Sequence, residues 1–152
     1  MSEAITRIPD SVLPYPEGLS NQTKFILWRI ASPFFAFFQT LGLKMGILRH
    51  EGRQDFVIGR LAPGRTIPAL LKHLVEEGYA NHFIAWKDDG QIISLRKLES
   101  FERQYHVRVF EDGEIRGHYE YTPECHPVLH VKEVDMEERR EVFMNAVKDW
   151  IA

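Results

Sequence analysis

The chain has 152 residues, 44% of them hydrophobic and 27% charged, with a net charge of −3. That length suits one domain around one core, and that composition excludes wholesale disorder. The slight acidity gives no general electrostatic attraction to nucleic acid, and the single cysteine, Cys125, excludes an internal disulfide.

Residues 1–20 contain Pro9, Pro14, Pro16 and Gly18 with little periodicity, so they read as an extended surface arm. The opening MSEAITRIPD carries Glu3 and lacks the basic-then-apolar order of a signal peptide, which points to a cytoplasmic protein. The remaining residues, 21–152, are expected to form one α+β domain.

The segment Phe25–Leu48 follows, FILWRIASPFFAFFQTLGLKMGIL, and holds six of the eighteen aromatic residues. Its uncharged run, Ile30 to Leu43, is 14 residues. As a helix the run covers only about 21 Å, short of the roughly 30 Å hydrocarbon core of a bilayer, so no transmembrane span is expected. Thr23 to Ala31 reads as a short helix. Ser32-Pro33 then reads as a restart, with serine as cap and proline at the first helical position. In the second piece Phe34, Phe37, Phe38, Leu41 and Met45 form one stripe, and Phe35 lies off it.

Asp55–Ala62 reads as a strand entering a Pro63-Gly64 turn. Thr66 caps a helix whose stripe is Ile67, Leu70, Leu71, Leu74 and Val75, and Gly78 ends it. Two hairpins follow. In the first, Asp89-Gly90 as a two-residue turn pairs Trp86 with Ile93 and Ile84 with Leu95. In the second, a three-residue loop, Glu111-Asp112-Gly113 with the glycine left-handed, pairs Val109 with Ile115, Val107 with Gly117 and Tyr105 with Tyr119. The two-residue alternative would set Val109 on the face of Arg116. Val128–Val134 reads as a further strand. Asp135 and Glu138 start a last helix with the stripe Phe143, Ala146, Val147, Trp150 and Ile151. The fold class is therefore α+β: a mainly antiparallel sheet of about four to six strands, built from two hairpins and packed against amphipathic helices and the aromatic helix.

Catalytic signatures are weak. His106, His118 and Glu120 share the second face of the second hairpin, near Glu124, His126 and His130, and such groups can ligate zinc or iron. The competing reading is a solvated polar face on which Arg108 and Arg116 repel a cation. Cys125 beside His126 places no imidazole on the thiol, because a Cys–His pair normally forms across the fold, so it reads as a small buried residue. The acidic pairs Glu76-Glu77, Asp88-Asp89 and Glu137-Glu138 suit helix and turn surfaces. The loop Gly59–Thr66 precedes a helix but lacks the Walker and dinucleotide glycine spacings. The 66–77 helix carries too few donors to read bases.

The aromatic surplus carries the functional expectation. It is a non-enzymatic protein without metal or cofactor, holding a lipid-like or other apolar small molecule between the aromatic helix and the sheet. The ligand-binding set is Phe34, Phe35, Phe37, Phe38, Leu41, Trp86 and Tyr119, with Arg65 as an anion anchor. The alternative is an interaction module that homodimerises through the aromatic helix.

Overall fold

A computed structural model describes residues 7–47, 56–82, 88–126 and 136–152. In chain order the elements are α1 (Leu19–Lys44), β1 (Phe56–Arg60), α2 (Ile67–Glu76), β2 (Ala80–Asn81), β3 (Gln91–Leu98), β4 (Arg103–Phe110), β5 (Glu114–Tyr121) and α3 (Met136–Val147). The strands form one antiparallel sheet in the order β1-β5-β4-β3-β2. The fold is α+β, as the alternating apolar patterns require.

The β4–β5 hairpin is the centre of the sheet. Gly113 takes a left-handed φ of 81°, and its N–H donates to the Phe110 carbonyl at 3.0 Å. The register pairs Tyr105 with Tyr119, His106 with His118, Val107 with Gly117 and Val109 with Ile115. Odd-numbered residues of both strands therefore share one face. On that face Leu95, Tyr105, Val107, Val109, Ile115 and Tyr119 form one core with Ile58, with Leu70, Leu71 and Leu74 of α2, and with Phe143, Ala146 and Val147 of α3. Gly117 leaves room for this packing: a Cβ there would lie 2.8 Å from Ile58 Cδ1 and 2.9 Å from Phe143 Cε1.

Thr66 caps α2 as the sequence predicts, accepting a bond from the Ala69 N–H at 3.4 Å. The first hairpin departs from its predicted register. The Asp89-Gly90 turn is present, with the Gln91 N–H donating to the Asp88 carbonyl at 3.1 Å, but Leu95 lies opposite Asn81, not Ile84, so the pairing at β2 is displaced by three residues. The alternation in β3 fixes which of its side chains face inward but not which upstream residue meets them. Trp86, the 128–134 strand and the Asp135 cap lie outside the described residues.

The N-terminal arm lies along the β2 edge. The Asn81 N–H donates to the Pro9 carbonyl at 2.8 Å, Asp10 bridges Asn81, and Arg96 donates to Ser11 Oγ at 2.7 Å.

The aromatic segment is one helix of 26 residues with Pro33 inside it, not two pieces. The Ser-Pro restart signal is local, whereas the stripe Ile26, Ile30, Phe34, Phe37, Leu41 keeps a single helical phase across it. Proline costs the bond to the Arg29 carbonyl and leaves the helix axis continuous.

Candidate functional site

The outward face of α1 is apolar. Leu19, Ile26, Leu27, Ile30, Phe34, Phe37, Phe38, Leu41 and Met45 fall within one stripe at helical spacing, and each is between 40% and 81% exposed. The opposite face, Asn21, Lys24, Phe25, Trp28, Ser32 and Phe35, is half-buried. There Phe25 meets Phe101 edge-on at 6.2 Å, Lys24 Nζ approaches Cys125 Sγ at 3.8 Å, and Phe35 packs edge-on to Trp28 at 5.3 Å. The usual amphipathic order is inverted in this helix: its more apolar side is its more exposed one.

The predicted ligand set is divided by this geometry. Phe34, Phe37, Phe38 and Leu41 share the outward stripe, and Phe35 lies on the other side of the helix. Tyr119 is buried on the core face of the sheet, beside the Tyr105 ring at 4.9 Å, with its hydroxyl donating to Glu99. Burial first, and then the Glu99 carboxylate, push the Tyr119 hydroxyl above its ordinary range, while Arg139 lowers it. Arg65 is exposed in the loop before α2, with its guanidinium 4.7 Å from the Trp150 ring centroid. The apolar sheet face is covered by α2 and α3.

The second face of the sheet is polar and buried, which corrects the expectation of a solvated surface. Arg96, Gln104, His106, Arg108, His118, Glu120 and Glu124 are each no more than 6% exposed. Period-2 alternation shows which side chains share a face, but not whether that face is covered. The arginines bring their own counter-charges. Arg96 makes a two-pronged bond to Glu124 at 3.1 and 3.0 Å, and Arg108 pairs with Asp88. Arg116, which is half-buried at the hairpin end, pairs with Glu114.

At the centre of this face lies a cluster of imidazoles and one carboxylate. His106 Nδ1 is 2.9 Å from His118 Nε2, which is 2.8 Å from Glu120 Oε2, and His106 Nδ1 is 3.5 Å from Glu120 Oε1. Ser94 Oγ contacts His106 Nε2 at 2.6 Å, and Gln104 Nε2 donates to Glu120 Oε1 at 2.7 Å. His82, just beyond β2, sets its ring edge-on to His106 at 4.7 Å. Burial alone would raise the Glu120 carboxyl. The neighbouring His118 ring, with hydrogen bonds from His106 and His118, outweighs burial and holds it well below the usual carboxylate range. His82 carries no signal in the sequence, because it reaches His106 only through the β2-β3-β4 order of the sheet.

No protein family, no curated protein and no solved structure matches this chain. No helix among the described residues is long and apolar enough to cross a membrane.

Proposed function

We propose that the protein is a non-enzymatic binding protein whose working surface is the outward stripe of α1, and that this stripe takes a second copy of the chain. The supporting observation is the exposure of nine large apolar side chains in one continuous stripe. Soluble monomers rarely leave contiguous apolar patches beyond a few hundred Å² open to water, and larger ones mark interaction sites. Aromatic residues and methionine are also the types enriched at interface cores.

Charge favours a particular geometry for such a pair. The only charged residues of α1 are Lys24, Arg29 and Lys44. Lys24 lies on the other, half-buried face, so the cation nearest the stripe is Lys44 at the C-terminal end. A parallel pair would set Lys44 against its own copy, and an antiparallel pair keeps the two copies of Lys44 at opposite ends of a closed two-fold interface.

A lipid-like ligand is the second reading, favoured by Phe34, Phe37 and Phe38 within the charge-free run from Ile30 to Leu43. An acyl chain would lie along the stripe, and neither Tyr119 nor Arg65 would touch it. Native mass spectrometry tests both readings. A species of twice the chain mass supports self-pairing, and a monomer carrying titrated fatty acid supports the ligand. A bare monomer throughout would sink both.

A further inference from the structure

Beyond the α1 surface, we propose that His82, His106, His118 and Glu120 form a buried binding site for one borderline divalent transition-metal ion, zinc or ferrous iron. One donor atom each from His82, His106 and Glu120 lies within 4.8 Å of the other two. His118 Nε2 lies 2.9 Å from His106 Nδ1 and 2.8 Å from Glu120 Oε2, and His106 Nδ1 lies 3.5 Å from the other carboxylate oxygen, Oε1. Metal–nitrogen bonds of about 2.0–2.1 Å at tetrahedral angles set ligand atoms about 3.3 Å apart, so these spacings are of the size such a site needs.

Proton counting favours a cation at this point. A neutral imidazole nitrogen either donates or accepts. If His118 Nε2 carries a proton, that one proton must serve contacts to both Glu120 and His106. If it carries none, its lone pair faces the Glu120 carboxylate at 2.8 Å. Protonating both rings brings two N–H donors to 2.9 Å of each other. A cation between the two imidazole nitrogens and the carboxylate takes the place of the shared protons in these contacts.

The surroundings fit the same ion. Ser94 holds the second nitrogen of His106, and Gln104 holds Glu120, as the outer partners of metal ligands do. Arg96 and Arg108 pair with Glu124 and Asp88, so their charges are compensated within the same face. Two or three imidazoles with one carboxylate suit zinc or iron over calcium or magnesium, which prefer all-oxygen sites. Closure by four protein ligands in a buried site is the structural pattern, not the catalytic one.

Cobalt titration of the metal-free full chain tests the proposal. One equivalent of Co²⁺ should bind with the intense visible absorption of a four-coordinate site, and added Zn²⁺ should bleach it. Anaerobic Fe²⁺ competition then ranks iron against zinc. The conservative variants His118→Gln and Glu120→Gln should weaken binding about a hundredfold or more, since loss of an outer-shell partner alone typically costs 10–100-fold. His73→Gln, on α2 over the opposite face, should leave it unchanged. Zinc should also raise the melting temperature of the wild type and not of Glu120→Gln. No visible absorption from the folded wild type, or binding by both ligand variants as tight as that of the wild type, overturns the site. The wild-type spectrum decides the matter even if a variant fails to fold.

Discussion

Two buried positions decide how tightly the sheet is held. At Gly117 the neighbouring side chains already occupy the space of a Cβ, with Ile58 Cδ1 and Phe143 Cε1 at 2.8 and 2.9 Å. Gly117→Ala should therefore destabilise by about 1–3 kcal/mol, the usual cost of overpacking. The melting temperature should fall by several degrees, at about 2–4 °C per kcal/mol for a chain of this size. An unchanged melting temperature would mean that Phe143 yields without cost. On the other face the side chains of Arg96 and Glu124 are 5% and 8% exposed. Removing one partner leaves a buried unpaired charge, so Arg96→Leu should cost about 3–5 kcal/mol. The double variant Arg96→Leu with Glu124→Leu should recover much of that loss in denaturant unfolding. Additive losses would show that the pair is not coupled.

At the scale of elements, β4 and β5 were legible because their signals are local. Gly113 supplies the left-handed residue, and only one loop length sets Val109 against Ile115. The cross-strand meeting of His106 and His118 follows from that register. The Asp89-Gly90 turn is present as its sequence implies, yet the β2–β3 pairing was not legible, because the turn alone does not carry its register as far as Asn81 and Leu95. Helix α1 shows a local signal overruled by a longer one: Ser32-Pro33 reads as a break, yet the apolar stripe runs through it in one phase. A continuous helix makes a specific prediction at Pro33. Pro33→Ala restores a backbone donor inside the helix and should slow amide exchange on both flanks, with no loss of stability, since interior proline costs about 3 kcal/mol relative to alanine. Faster exchange in that variant would mean that the helix needs its break.

For the whole molecule, burial separates the two faces of the sheet in a way that alternation cannot. The apolar face was expected to meet α1, because aromatic surplus and apolar sheet surface suit each other. In the structure α2 and α3 already cover that face, through Leu70, Leu74, Phe143 and Val147, and the α1 stripe is left turned outward. The polar face was read as solvated because histidine, arginine and glutamate usually are. Its burial is tolerated because its arginines are paired within the face, a condition that needs the tertiary positions of Asp88 and Glu124. His82 joined the cluster for the same reason.

The outward stripe is the feature on which the account of function rests, and sedimentation velocity tests it most directly. The wild-type chain at micromolar concentration should sediment as a dimer that dissociates on dilution. The double variant Phe34→Glu with Phe38→Glu, changing exposed residues only, should stay folded, lose any concentration dependence of its melting temperature and sediment as a monomer. A wild-type chain that is strictly monomeric at every concentration, or a double variant that stays dimeric, would contradict the account.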